Sequence, residues 1–510
     1  MPKRLRTSSG GSDVVGLWNR EVGEVPPRVF AQRFKASEDL VLRLDIYNKL
    51  QKHRGCVNTV SFNVVGDILV SGSDDRMVML WDWDVGRVKL SFHSGHHNNI
   101  FQAKIMPYSD DRSIVTCAAD GQVRHAQITE NGTVETTMLA KHEGRTHKLA
   151  IEPGSPHIFY TCGEDGLVQH FDLRNETSTE LFTCESSLNK SRYTSIIHLN
   201  TIAIDPRNPN LFAVGGSDEY ARVFDVRKYK WDGSDTFGEP ADCFCPPHLI
   251  GDGQVGITGL AFSDQSELLV SYNDEHIYLF TKDMGLGTDP VPASPSSIES
   301  NFSGVAHDPA MATSPSSNEA DERSGPQVYK GHSNSDTVKG VSFFGPRDEY
   351  IVSGSDCGRI FIWRKKDGEL MRVMKADKHV VNCIEPHPHD PLLASSGIEH
   401  DIKIWTPRAS NKASLPISVE ELKERKENYS YHPFAPPHEL MLPFFPLQRH
   451  RSRSLPGSED DMVSGTALLE LIMSFNDSSG GSSGDDDGDS DGDEDDNSSD
   501  NTVSDTCRVN

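Results

Sequence analysis

The stretch VSGSDDRMVMLWD, residues 70–82, decides the fold. It joins a short strand rich in small hydroxyl residues, a tight acidic turn at Asp74 and Asp75, and a second strand, MVMLWD, that closes on Trp81. Just upstream, His53, Val57, Val60 and Phe62 supply another strand with its own lead-in. The turn acid stands six residues before the closing aromatic, and this interval returns seven times. Asp75, Asp120, Asp165, Asp218, Asp274, Cys357 and Glu399 precede Trp81, Ala126, Phe171, Phe224, Phe280, Trp363 and Trp405. Successive closing positions are 45, 45, 53, 56, 83 and 42 residues apart. Units of that length, each closing a β-branched strand on an aromatic, are how a WD-type β-propeller is written in sequence. The expectation is an all-β chain with seven WD40 blades.

In such a unit the His, a strand Ser or Thr, the turn acid and the closing Trp are expected to form one buried hydrogen-bond chain, which is stable only when every polar member is satisfied. The residues assigned to that framework are His53, Asp75, Trp81, Asp120, His142, Asp165, Asp218, Asp274, His332, Trp363 and Trp405, with His96 at the matching place in the second repeat. Repeats four and five have no such histidine. Cys357 accepts hydrogen bonds poorly, so its neighbour Asp356 is the expected substitute.

The departures from the repeat define the rest of the chain. Residues 1–25 are polar and Gly-rich and are expected to lack structure. Pro26 and Pro27 then open a helix through Val29, Phe30 and Phe34. Ser37 is placed to cap a second stretch in which Leu40, Val41, Leu44 and Tyr47 recur at helical steps. The ring also needs an outer strand for its last blade, and 46–51 can supply it; a strand after about Leu44 is the expectation. The 83-residue gap holds 283–327, rich in Ser, Pro, Gly and acid and without alternation, and is read as a disordered insertion between blades five and six. The propeller is thus expected over 46–407, with a helical adaptor-binding segment at 26–45 before it. Beyond it, 408–510 is expected to be mostly disordered, with a helix at 418–429, a basic cluster at Arg449–Arg453 and an apolar island at 468–475. Its acidic run 485–500 carries ten Asp or Glu and no base, and Ser490, Ser498 and Ser499 beside the acids suit a kinase.

Net charge is −26, which argues against direct binding to nucleic acid, where Lys and Arg must neutralise phosphates. The chain has no run of 18 apolar residues and its start has no apolar leader, so neither membrane insertion nor secretion is expected. Its nine cysteines, an odd number in strand-like contexts, suit a reducing compartment. Cys243, Cys245 and His248 resemble half of a metal site but lack the second pair, so no metal and no cofactor is expected. No catalytic motif stands in a strand-to-helix context, and the histidines of PHPHD at 386–390 fall in a turn.

Repeats three and four end alike: Phe171-Asp172-Leu173-Arg174 and Phe224-Asp225-Val226-Arg227. An arginine two residues past the strand's aspartate leaves the blade at a rim and can offer its planar head to a partner, or merely bridge to nearby acids. With this pair, GCVNTVSFN, SGSDD, WDWD, FQAK, DGQVR, HKLAIEP, FAVGG, SYNDE, SGSDCG and VNCIEPHPHDP resemble, in order, the WD-repeat substrate receptors of cullin-4 RING ubiquitin ligases, in particular the subgroup called cullin-4-associated factor eight. The resemblance covers roughly 27–407. It implies a non-catalytic receptor, in nucleus and cytoplasm, that bridges the adaptor damage-specific DNA-binding protein 1, and through it cullin-4, to an unknown protein substrate. Asp172, Arg174, Asp225 and Arg227 would be the adaptor contacts, with Phe standing where the family has Trp, and the helices at 27–44 would add to them. The alternative is a WD-repeat scaffold holding histone or other basic peptides.

Overall fold

The computed structural model describes residues 12–175, 177–186, 195–229, 238–288 and 325–416. The tail helix, the basic cluster, the apolar island and the acidic run lie outside the described residues, as do residues 1–11 and 289–324. The described chain falls within one compact unit, Met1–Phe444, and none of its helices is long and apolar enough to cross a membrane.

Seven four-stranded antiparallel sheets make the seven blades. Their first strands are Val57–Phe62, Ile100–Ile105, Thr146–Ile151, Leu199–Ile204, Ile257–Phe262, Val341–Phe344 and Val381–Pro386. Each touches the first strand of the next blade, and the seventh touches the first, so these strands surround a central axis. The closing residues Trp81, Ala126, Phe171, Phe224, Phe280, Trp363 and Trp405 all lie on third strands and are all buried. Six of the seven first-strand pairings begin with a register shift after one residue, as between Val57 and Thr59. Such a bulge adds twist at the axis end of the blade.

The ring is closed by the N-terminal side of the chain. Asp45–Gln51 pairs antiparallel with Asp401–Thr406 as the outer strand of blade seven, Leu50 opposite Ile402. Tyr47 therefore belongs to a strand, and its hydroxyl donates to Asp84 at 2.8 Å. Val41 and Leu44, just ahead, are buried against Trp405 and Tyr350.

Three helices precede that strand: α1 (Ser12–Glu21), α2 (Pro27–Lys35) and α3 (Glu38–Leu42). The first is a correction, because residues 12–21 fold within a segment that composition left unstructured. Its polar flanks and Gly16 hide an apolar series, Val14, Val15, Leu17 and Trp18. Gly16 is also where α1 meets Phe30 of α2, and a side chain there would touch the ring. Ser37 occupies the cap position of α3 but makes no cap bond, and its buried hydroxyl has no partner among the described residues.

The insertion expected between blades five and six, over 283–327, is corrected by the strand pairing. Gln327–Tyr329, beyond it, pairs with Ile277–Phe280 as the fourth strand of blade five. The long segment therefore leaves and re-enters the same blade, between its third and fourth strands.

The blade framework is uneven. In blade one, His53 Nδ1–H donates to Asp75 (2.9 Å), while Ser71 Oγ donates to His53 Nε2 (2.7 Å) and accepts from Trp81 Nε1–H (2.8 Å). Burial raises the pKa of Asp75, but His53 and the amides of Arg54 and Met77 outweigh it and hold the carboxyl at about 2. His96 with Asp120 and Thr116, and His142 with Asp165 and Thr161, repeat the chain without a tryptophan. Elsewhere a fixed cation replaces the imidazole. Asp218 pairs with Arg222 at 2.5 Å, Asp356 with the fully buried Lys339, and Asp377, Glu399 and Asp401 converge on Lys403. Asp274 sits in a left-handed turn (φ 55°), its amide donating to the Asn334 carbonyl. Trp405 keeps its serine, Ser395 (2.9 Å), whereas Trp363 donates to the Lys330 carbonyl.

His332 is a second correction. Asp356 is taken by Lys339 and by backbone amides, so neither ring nitrogen of His332 has a partner among the described residues. Burial, then the nearby His276 and Lys339, push it from 6.5 down to about 4. A group depressed on folding adds stability above its unfolded value that is lost as pH falls through its folded value. We expect the melting temperature to drop between pH 6.5 and 4, and His332→Phe to flatten that slope, as read by calorimetry across the range. An unchanged slope in the variant would remove His332 as the cause.

Candidate functional site: twin rim arginines

Strand direction fixes two rims. Turns joining first to second strands, and third to fourth strands, share one rim, here the lower; the blade-to-blade connections and the acidic turns share the other, the upper. Arg174 and Arg227 follow the third strands of adjacent blades and stand on the lower rim.

Their geometry is the same in both blades. Asp172 accepts from the Arg174 amide (3.0 Å), from its Nε–H (2.9 Å) and from its Nη2–H (2.7 Å). Asp225 accepts from the Arg227 amide (3.0 Å), Nε–H (2.9 Å) and Nη2–H (2.6 Å). The amide bond makes a tight turn of the D-x-R sequence itself, and the bidentate pair then fixes the guanidinium. The Arg174 guanidinium beside Asp172 holds that carboxyl at about 2, and Asp225 is lowered in the same way by Arg227. Bridging to an acid therefore occurs, and each acid lies two residues back in the chain. It does not hide the arginines, which remain 59% and 63% exposed, with both Nη1 protons free of any partner among the described residues. A planar donor head held in one orientation binds an acceptor with less loss of side-chain entropy than a loose one.

The same rim carries the helices. Lys35 of α2 donates to the His389 carbonyl (2.8 Å) and pairs with Asp390 (3.0 Å) in blade seven. Arg347 reaches Gln32 (3.0 Å) from blade six, and Tyr350 donates to the Ala36 carbonyl (2.9 Å). Beneath α2 lies a cavity of about 560 Å³, lined in part by Arg28, Gln32, Lys35, Phe343, Glu385 and His387. Helix α2 has no buried residue, while α1, stacked on it through Arg20 over Phe30, leaves Val14, Val15, Leu17 and Trp18 exposed. An apolar helix face open to water, on a rim that also carries two fixed arginines, is the composition of a protein interface rather than of a free surface.

The other sequence candidates fall elsewhere. His387 of PHPHD is structural: its Nδ1 accepts two backbone amides, and its Nε2–H donates to the Gly66 carbonyl (2.9 Å), locking blade seven to blade one. Cys243 and Cys245 pack in the core around blades four and five, while His248 turns to Tyr278 and Glu275. The fixed cations of blades four, six and seven were not anticipated. A cation four residues after the turn acid, Arg222 after Asp218 and Lys403 after Glu399, was the available signal in blades without the histidine.

The WD40 family model (WD domain, G-beta repeat) matches residues 45–82, 325–364 and 368–406. Those three units are the ones that close on Trp. The chain is 23% identical to human WD and tetratricopeptide repeats protein 1 over 84% of this chain and 94% of that protein. It is 34% identical to human DDB1- and CUL4-associated factor 6 over 54% of this chain and 32% of that protein. To Protein ALTERED SEED GERMINATION 2 of Arabidopsis thaliana it is 31% identical, over 57% of this chain and 43% of that protein. The chain thus spans about a third of the factor 6 protein and less than half of the plant one.

Proposed function

We propose that this chain, a seven-bladed WD40 propeller related in sequence to a DDB1- and CUL4-associated factor, is a non-catalytic substrate receptor that bridges damage-specific DNA-binding protein 1 to a protein target for ubiquitination by a cullin-4 ligase. One observation carries the reading: two adjacent blades end in the same D-x-R turn, with the arginine fixed and exposed on one rim. A core needs no such repetition, because the only hydrogen-bond and ion-pair partner of each guanidinium among the described residues is its own aspartate. The helices on that rim extend the dock, and the substrate is left to the opposite rim and the axis. Nucleus and cytoplasm are part of the same proposal, as the compartments that the family resemblance implies.

The apolar face of α1 belongs to the same dock. Val15→Asp with Trp18→Asp puts two carboxylates on a helix that buries little in the chain alone, so the melting temperature should hold while adaptor capture falls. Co-purification of the adaptor with the full chain checks this, and capture equal to that of the natural chain would remove α1 from the interface.

A further inference from the structure

The seven first strands carry an unusual charge set around the axis. At the fifth residue of the first strands of blades one, two and seven stand Ser61, Lys104 and Glu385, with alanine there in blades three, four and five, while the shorter first strand of blade six carries Ser342. Lys148 stands two residues earlier in blade three. The three charges come from blades two, three and seven, and each lysine acts electrostatically on Glu385. They are not paired: Glu385 accepts from Ser61 (3.2 Å), and neither ammonium has an ion-pair or hydrogen-bond partner among the described residues. All three residues are half-buried, and burial pulls Lys104 below its ordinary range and pushes Glu385 above its own. Two cations against one carboxylate in such surroundings favour an anion between them.

The two mouths differ. On the lower rim, α2 arches over the cavity that reaches Glu385. On the upper rim, Phe101 and His147 stack with ring centres 5.0 Å apart and planes 5° from parallel, and Glu164 holds His147 at 3.0 Å. Phe101 and Lys104 are three residues apart on one strand, roughly 10 Å along the axis. An extended peptide covers that depth with one side chain on the ring pair and another inside.

We infer that the axial channel, entered past Phe101 and His147, binds a peptide segment of a protein partner through an acidic side chain, carboxylate or phosphate, that reaches Lys104 and Lys148. Basic peptides meet the wrong sign there. The site does not depend on the adaptor reading, because that dock lies on the other rim.

The test uses the full chain and three pools of fluorescent ten-residue peptides, degenerate except for a central Glu, phosphoserine or Gln. The Glu or the phosphoserine pool should bind roughly tenfold or more tightly than the Gln pool, and the better of the two identifies the source of the anion. Lys104→Gln with Lys148→Gln should abolish that preference, and Glu385→Gln, which needs no loss of a cation, should strengthen it. A second chain with the acids of 485–500 changed to their amides removes an internal competitor. Equal binding of all pools by both chains, or a preference that survives in the double lysine variant, overturns the inference. Should the double variant fail to fold, a Glu385→Gln chain no tighter than the natural one overturns it as well. Adaptor capture should be unchanged in the double lysine variant, which keeps this result separate from the function proposed above.

Discussion

Replacing Arg174 and Arg227 together by alanine is expected to strip the adaptor from the purified chain while the propeller stays folded. Each side chain is more than half exposed and its guanidinium is ion-paired, among the described residues, only with the aspartate two residues before it, so its removal opens no cavity. What it removes is a donor head already set in position, and arginines of this kind are enriched among the few residues that dominate interfaces. Loss of one such anchor commonly weakens binding by about thirtyfold, and two that act together by more. Adaptor recovery by affinity purification, beside melting curves of both chains, measures the two halves of the claim. Unchanged recovery would show that these arginines are not the dock. Arg→Lys at both positions is a sharper control, since lysine keeps the charge but cannot form the bidentate pair that orients the head.

The largest effect on stability is expected in blade six. Lys339 is fully buried and its ammonium faces Asp356, itself almost wholly buried. Asp356→Asn keeps the shape and the bonds accepted from Ser333 and the Ser335 amide, yet leaves a cation in the core without its counter-charge. Breaking one side of a buried pair costs about 3–5 kcal/mol, because the remaining charge has lost its water and its partner. The melting temperature should fall by roughly 5–10 °C. Adding Lys339→Met should restore most of that loss, since an apolar side chain of similar length needs no partner. If the double variant is no more stable than the single one, the charge is not what the aspartate serves.

These two sites were not equally visible in the sequence. The D-x-R pair was legible because it is local: an Asp, its amide bond two residues on, and an Arg at a strand's end need no tertiary contact to form. The same holds for the blades, whose turn acid and closing aromatic lie six residues apart in one hairpin. The His53, His96 and His142 chains also follow, since each joins residues of a single repeat. His332 does not, although its repeat looks regular. Its acid is one residue out of place at Asp356, and Lys339, which competes for it, arrives from the connection that leads into the next strand. Helix α1 was missed for a different reason: its apolar residues bury little in this chain, so the segment reads as polar on average.

By itself the sequence determined what repeats: seven blades, their closing residues, the outer strand that Asp45–Gln51 lends to the last blade, and the two matching rim turns. Only the tertiary structure decided what lies between repeats. It put the insertion inside blade five, set α2 against blades six and seven, gave three blades a fixed cation in place of histidine, and gathered Lys104, Lys148 and Glu385 from three blades around one axis. The physical reason is range. A turn, a cap or a strand is set by neighbours a few residues apart, whereas burial and unpaired charge depend on which distant strands the closed ring brings face to face.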